Sequence, residues 1–220
     1  MSVMIQLSEV HFSSDDGIKV LDDLHLRVER GEFVFLLGPA AAGKSVLLGL
    51  IGTHIPPQKG QILVCGRNIA RLSHDKAFAL RRRIGFIPQQ FVPLQKTVIE
   101  NLMFRLRALG NFREQAEEKA LAALEQVGLT EDLSFPAAEL QPLDRTRLAL
   151  ALAICDEPLL LLVDEQFDGL SSAEQSEVCS LLEELHLHGL TLLVAVRGPL
   201  PEQMSERRQL HLIEGKVNES

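Results

Sequence analysis

The stretch that decides the fold is EFVFLLGPAAAGKSVLLGLIGT, residues 32–53. An apolar run that predicts a short buried strand leads directly into a loop bounded by two glycines, and apolar residues at helical spacing follow the loop. The loop has the spacing G-x-x-x-x-G-K-S, in which small residues let successive backbone N–H groups converge on phosphate oxygens. The stretch therefore predicts a phosphate-binding loop between a strand and a helix.

The residue types within this loop suggest a division of roles. We expect Lys44 to place its charge beside the β- and γ-phosphates of a nucleotide and Ser45 to offer its hydroxyl to Mg²⁺. The N-terminus of the following helix adds its dipole to the attraction for phosphate. The loop residues expected to bind nucleotide are Gly38, Pro39, Ala40, Ala41, Ala42, Gly43, Lys44, Ser45 and Val46.

A second acidic element follows the run LLLLVDE, residues 159–165. Four leucines and a valine in succession are typical of a strand buried on both faces of a parallel sheet. At the end of such a strand we expect Asp164 to bind Mg²⁺, directly or through water. Glu165, the next residue, is expected to accept a proton from an attacking water molecule.

The remaining patterns place these two elements in an α/β fold. VMIQLSEVHF (3–12) and KVLDDLHLRV (19–28) alternate like antiparallel strands, and TLLVAV (191–196) predicts a further buried strand. We expect a P-loop NTPase (RecA-like) core with a mainly parallel sheet, an N-terminal antiparallel β subdomain and an inserted α-helical subdomain.

The predicted boundaries follow from where the helical patterns lie. Residues 1–220 are expected to form one domain, with a core and β subdomain over 1–90 and 155–220 and a helical subdomain over 91–154. The last helix of the insert is expected to begin with Asp144 as its N-cap.

Composition excludes several other classes of function. A net charge of −8 argues against nucleic acid as a partner, because nucleic-acid binding depends on Lys and Arg neutralising phosphates.

The histidines show no ligand spacing beyond HLH (186–188), and i,i+2 residues do not share a helix face. Cys65, Cys155 and Cys179 lack C-x-x-C spacing and are expected to be small buried side chains in a reducing cytosol. The N-terminus does not resemble a signal peptide, and the sequence predicts no membrane span.

Taken together, these motifs resemble the ATP-binding subunit of an ABC transporter over nearly the whole chain. GFIPQQ (85–90) matches the Q-loop of that family, which implies that Gln89 contacts the γ-phosphate and Mg²⁺, and LLLLVDE matches its Walker B motif. The resemblance implies ATP and Mg²⁺ as cofactors. It also implies a dimer with itself or a paralogous ATPase, in which each site combines one P-loop with the partner's signature motif.

Two further segments are similar to the FtsE group of cell-division ATPases, namely NIARLSHDKAFALRRRIGFIPQ (68–89) and TVIENL (97–102). The resemblance implies an FtsX-like integral membrane partner, whose coupling helix enters a groove beside the Q-loop. It therefore also implies a cytoplasmic location, peripheral on the inner face of the cell membrane. ATPases of the LolD and MacB type are near alternatives.

The sequence departs from the family at the signature motif. The expected LSGGEQQR reads LQPLDRTR at residues 140–147, so the serine is Gln141 and the two glycines are Pro142 and Leu143. Proline lacks an N–H and a leucine side chain would intrude on a close backbone approach. We therefore expect this half-site not to hold a partner's phosphate, and hydrolysis to be slow.

Other family positions are also altered. Ser171 stands where the family has the aspartate of the D-loop, and Ala41 stands where the P-loop often has a glycine. Ser14 stands where the family has the aromatic residue that stacks on adenine. Phe12 is the nearest aromatic substitute, although alternation along its strand predicts that it lies in the core. Arg197 replaces the switch histidine and is counted among the catalytic candidates with Glu165 and Gln89, because an arginine can hold a phosphate bidentately but cannot relay a proton.

Three functions remain open on this basis. The first is an energy-coupling ATPase that drives a membrane partner. The second is a pseudo-ATPase, a nucleotide-binding structural or regulatory module without turnover. The third is an ABC-type protein without a membrane partner.

Overall fold

The computed structural model describes residues 2–167 and 169–219, so the predicted domain limits at residues 1 and 220 lie outside the described residues. The N-terminal part is an antiparallel sheet in the order β2-β1-β4-β5. Its strands are β1 (Val3–Ser13), β2 (Lys19–Glu29), β4 (Lys59–Val64) and β5 (Arg67–Asn68). The two strands predicted from alternation are confirmed, since Val10 lies opposite Leu24 and Leu7 opposite Leu26 in an apolar face.

The second sheet contains the strand that precedes the phosphate loop. Its strands are β3 (Phe33–Leu37), β6 (Ile84–Ile87), β7 (Leu160–Asp164), β8 (Thr191–Val196), β9 (Arg208–Ile213) and β10 (Lys216–Glu219). They are ordered β10-β9-β3-β8-β7-β6, and every pairing is parallel except that of β9 with β10. Every residue of β7 and β8 is buried, as the leucine run predicted. The mainly parallel α/β core is therefore confirmed.

Helices cover this sheet on both faces. They are α1 (Lys44–Ile51), α2 (His74–Arg81), α3 (Val98–Ala108), α4 (Arg113–Gln126), α5 (Pro142–Ile154) and α6 (Ser172–Leu187). Short 3₁₀ turns lie at Ile69–Arg71, Ala137–Glu139 and Glu202–Met204. Buried side chains of α3, α4, α5 and α6 form an apolar core with one face of the sheet, while α1 and the antiparallel sheet fill the other. The phosphate loop thus connects a strand and a helix that are both packed into the core.

The predicted start of the last helix of the insert, α5, was wrong. The structure starts α5 at Pro142, and its N-cap is Gln141, three residues before the predicted cap at Asp144. Proline suits the first helical position, because its fixed φ is already helical and its missing N–H has no acceptor there. Asp144 lies instead in the first turn, where it forms an ion pair with Arg147.

Candidate nucleotide-binding site

The two glycines of the phosphate loop are required by close packing. A Cβ atom on Gly38 would lie 2.6 Å from the carbonyl oxygen of Leu212, and one on Gly43 would lie 2.9 Å from Cγ1 of Val20. Gly43 also has φ +100° at the N-cap of α1, a conformation that side chains rarely adopt. The loop can therefore follow this path only with glycine at both ends.

Ala41 adopts a left-handed backbone conformation with φ +60° in the middle of the loop. This is the position where the family often has glycine. The conformation costs an L-residue roughly 1–2 kcal/mol, which glycine avoids. The loop therefore keeps the shape that a glycine would favour although alanine occupies the position.

We expect Ala41→Gly to raise the free energy of unfolding by about 0.5–1 kcal/mol in urea titrations, because relief of strain outweighs the extra freedom of glycine in the unfolded chain. The matched control is Ala122→Gly on the exposed face of α4, which should lower the same quantity by about 1 kcal/mol. A loss of stability in both variants would contradict the strain at Ala41.

Lys44 is buried at the start of α1, and its ammonium group is fully engaged. Its Nζ atom donates to the carbonyl oxygens of Gly38 at 2.6 Å and Pro39 at 2.9 Å. The third neighbour is Oε1 of Glu165, at 3.0 Å. An ammonium group has three N–H donors. The loop therefore presents a lysine whose donors are already satisfied by protein oxygens.

Asp164 and Ser45 form a pair of oxygen ligands suited to Mg²⁺. Asp164 is buried at the end of β7, and its Oδ1 atom has no hydrogen-bond partner within residues 2–167 and 169–219. Burial raises the pKa of Asp164, a hydrogen bond from Ser45 opposes that rise, and the carboxylate of Glu165 adds to it. A buried carboxylate oxygen without a partner is costly, and a hard cation would compensate it. These residues therefore fit Mg²⁺.

Glu165 lies between two cations. Its Oε1 atom contacts Lys44, and its Oε2 atom forms an ion pair with Nε of Arg197. The backbone has φ +51° at Glu165, and its N–H donates to the carbonyl oxygen of Ala195 at 3.0 Å. The local backbone and both salt bridges thus fix this carboxylate between Lys44 of the phosphate loop and Arg197 at the end of β8.

A pocket of about 290 Å³ brings most of the predicted residues together. Its walls are Val20, Ala41, Ala42, Gly43, Lys44, Ser45, Val46, Gln89, Glu165 and Arg197. The carbonyl oxygens of Gly38 and Pro39 accept hydrogen bonds from Lys44, and Ala40 is exposed on the loop. Asp164 does not line the pocket itself but is joined to it by a hydrogen bond from Ser45. Residues distant in the sequence therefore converge on one cavity.

Sequence reasoning missed two residues of this site. Val20 forms an apolar wall of the pocket. Gln166 joins the Q-loop to β7, since its Nε2 atom donates to the carbonyl oxygens of Pro88 at 2.7 Å and Asp164 at 3.2 Å. The position of Gln166 directly after the acidic pair was the available signal.

The altered signature residues lie at the start of α5. Gln141 and Pro142 are exposed, and Leu143 packs against the core. Because Pro142 is the first residue of the helix, one of the N–H groups that a helix start normally offers an anion is missing. That this segment binds phosphate poorly stays a prediction, which the position of Pro142 at the start of α5 supports.

Ser171 has a local structural role. Its hydroxyl accepts a hydrogen bond from the N–H of Glu174 at 3.3 Å, and the Glu174 carboxylate accepts from the N–H of Ser171 at 2.7 Å. This is a capping box at the start of α6. The serine in place of the D-loop aspartate therefore stabilises a helix end.

The residues near the expected adenine position are small or aliphatic. Phe12 is paired with Leu21 and packs on the core, which agrees with the alternation along β1. The hydroxyl of Ser14 accepts a hydrogen bond from the N–H of Ile18 at 3.3 Å. Val20 supplies the apolar wall beside the loop. The phosphate-binding part of the site is thus more complete than the base-binding part.

The cysteines and histidines give no further site. Among residues 2–167 and 169–219, no group of three His, Cys, Asp or Glu side chains is arranged to hold a metal ion. Cys155 and Cys179 are buried as expected, and burial raises the pKa of the Cys179 thiol to about 11. Cys65 is only half-buried, so the prediction that all three cysteines are buried was wrong for this residue. The Nδ1 atoms of His186 and His188 each contact a backbone carbonyl oxygen.

An apolar groove of about 440 Å³ opens beside the Q-loop. Its walls include Phe78, Phe91, Val92, Leu94, Phe104 and Leu152. Several of these side chains are unusually exposed for their type; Phe104 is 56% exposed. None of the helices in the described part of the chain is long and apolar enough to cross a membrane.

The carboxyl ends of β3, β7 and β8, with their loop, lysine and acidic pair, define a P-loop nucleotide-binding protein. The chain belongs to the ABC transporter family as an ATP-binding subunit, since the ABC transporter family model matches residues 21–168. It is 30% identical over 216 residues to the cell division ATP-binding protein FtsE of Streptococcus pneumoniae, covering 97% of this chain and 94% of the relative.

Other similar proteins are a longer chain and a cassette solved as a dimer. The macrolide export ATP-binding/permease protein MacB of Bdellovibrio bacteriovorus is 32% identical over 202 residues, which cover 88% of this chain but 30% of that protein. A dimeric ATP-binding cassette solved in a post-hydrolysis state with ADP and Pi has a TM-score of 0.85 and 26% identity. The alignment covers 99% of this chain and 98% of the cassette.

Proposed function

We propose that this protein is the ATP-binding subunit of an FtsE-like ABC complex, which binds Mg²⁺-ATP at its phosphate loop and hydrolyses it slowly. The observation that carries the proposal is the convergence of Lys44, Ser45, Gln89 and Glu165 on one pocket, with Asp164 behind it. Membership of the ABC transporter family supports the same reading.

The side chains would divide the work as follows. Lys44 and the loop N–H groups bind the β- and γ-phosphates, while Ser45, Asp164 and Gln89 would hold Mg²⁺, which neutralises phosphate charge when bound. Glu165 lies where it can orient an attacking water molecule and accept its proton. For this it must leave Lys44, since the phosphate takes the same donor.

Slow turnover follows from the start of α5. The related cassette is dimeric with ADP and Pi, which supports closure of this chain on itself or on a paralogous ATPase. In such a dimer the segment Gln141–Leu143 would face the partner's phosphate. A missing transition-state donor typically costs about 10²–10³-fold in rate. Pro142 removes one such N–H, so the opposite site would be impaired.

The test is a titration of the purified protein with a fluorescent ATP analogue and Mg²⁺, followed by measurement of phosphate release. We expect saturable binding with slow release. The absence of saturable binding would refute the proposal.

The groove beside the Q-loop is proposed as the contact for an integral membrane partner of the FtsX type, which would hold this chain at the inner face of the cell membrane. Exposed phenylalanine and leucine side chains around a cavity are unusual for a monomer surface and favour burial by a partner helix. The likeness to FtsE supports a role in cell division. A LolD- or MacB-type transport role is the alternative, supported by the MacB relative.

We expect Phe104→Asp to weaken co-purification with the candidate permease by about tenfold or more, because it places a charge in an apolar contact. Binding of fluorescent ATP by the isolated subunit should not change. The matched control is Phe112→Asp, at a phenylalanine that is still more exposed (77%) and lies at the start of α4, outside the groove. Equal losses in the two variants would argue against the groove as the contact.

A second candidate function is a nucleotide-binding module without turnover, acting by holding a shape. The ion pair between Glu165 and Arg197 favours it, because a carboxylate held by an arginine is a poor base for water. Phosphate release that Glu165→Gln does not reduce would support this reading. Release that the permease stimulates and Glu165→Gln abolishes would exclude it.

A further inference from the structure

The carboxylate of Glu165 occupies the position at which a phosphate would meet Lys44. Oε1 of Glu165 lies 3.0 Å from Nζ of Lys44, and the two side chains are 5% and 2% exposed. The remaining two donors of Lys44 are used by the carbonyl oxygens of Gly38 and Pro39. An incoming phosphate therefore has to displace the carboxylate.

The displaced carboxylate would remain buried and negatively charged beside a nucleotide of the same sign. Two like charges a few ångströms apart in a partly desolvated pocket repel one another strongly. A buried charge that loses its partner is also costly in itself. Binding of ATP at this site therefore requires a second counter-ion for Glu165.

Arg197 is the group in place to act as that counter-ion. It follows β8 directly, its side chain is 41% exposed at the rim, and its Nε atom is paired with Oε2 of Glu165. Arg197 contacts Oε2 whereas Lys44 contacts Oε1, so the pair with Arg197 can persist when Oε1 gives up the lysine. The arrangement does not require Arg197 to contact the nucleotide.

We propose that Arg197 is a positioning residue for nucleotide binding. It compensates the charge of the Glu165 carboxylate when that carboxylate gives up Lys44, so that Lys44 becomes available to ATP. This inference rests on the proposed function of the loop as an ATP site. It assigns Arg197 a role through Glu165 rather than through the γ-phosphate, which distinguishes it from the direct phosphate contact expected from sequence.

The test is a double-mutant cycle on the affinity for a fluorescent ATP analogue, with Arg197→Ala, Glu165→Gln and the double variant. We expect Arg197→Ala to weaken binding about tenfold or more, because Glu165 loses its counter-ion. In the Glu165→Gln background the same change should have an effect of less than about twofold, since no charge is left to compensate. Arg197→Lys keeps the charge and should retain most of the wild-type affinity.

Two results would overturn the inference. Equal losses from Arg197→Ala in both backgrounds would mean that the guanidinium contacts the nucleotide itself. Unchanged affinity in all variants would mean that Glu165 needs no counter-ion. Arg113→Ala on the exposed face of α4 is the matched control and should not alter affinity. If the wild-type protein itself does not bind the ATP analogue, the proposed ATP site is refuted instead. The failure of the inference and the failure of the proposed function are therefore distinguishable.

Discussion

Replacement of Lys44 by alanine is expected to weaken Mg²⁺-ATP binding by about 100-fold, equivalent to about 2.7 kcal/mol. The substitution removes the only side-chain cation within the loop sequence, GPAAAGKSV. It also leaves the buried carboxylate of Glu165 without its partner on the phosphate side, so a negative charge faces the incoming nucleotide. Hydrogen bonds to charged groups contribute about 1.5–3 kcal/mol each, which accounts for an effect of this size.

The measurement is a titration with a fluorescent ATP analogue in the presence of Mg²⁺, together with a thermal unfolding curve for each variant. The matched control is Lys76→Ala, at an exposed lysine on α2, which should leave the affinity unchanged. The variant Lys44→Ala/Glu165→Gln should regain part of the lost affinity, because it removes the unpaired carboxylate. Wild-type affinity in a folded Lys44→Ala protein would contradict the assignment of the loop.

Restoration of the signature residues is expected to accelerate hydrolysis about 100-fold in the variant Gln141→Ser/Pro142→Gly/Leu143→Gly. The change returns an N–H at residue 142 and removes the side chain at residue 143, which together reopen the start of α5 to a phosphate. Since this helix would face the partner's nucleotide in a dimer, the gain should appear only at protein concentrations where ATP induces dimerisation.

The same variant should be less stable than the wild-type protein. Glycine replaces a proline that is pre-organised for the first helical position and a leucine that packs against the core. Phosphate release is therefore measured below the unfolding temperature of each variant, across a range of protein concentrations. Addition of Glu165→Gln should remove the gain. An unchanged rate in a variant that still dimerises with ATP would show that the signature residues do not limit turnover.

Local patterns were sufficient for the elements that carry the site. The strand before the loop, the loop itself and the buried leucine strand were predictable because each is specified by adjacent residues, through apolar runs and glycine spacing. The start of α5 was mispredicted because Asp144 was preferred as a cap over the proline signal at residue 142. The hairpin of β9 and β10 was not predicted, although Leu212 of β9 limits the space at Gly38.

The sequence by itself determined the chemical groups of this protein: a phosphate loop with Lys44 and Ser45, an acidic pair at residues 164–165, and altered signature residues. Only the tertiary structure decided that Lys44, Glu165 and Arg197 form one charge cluster. The physical reason is the strand order, in which β8 lies between β3 and β7 with all three parallel. Their carboxyl ends therefore meet at one edge of the sheet, and an arginine that follows β8 lies beside a glutamate that follows β7.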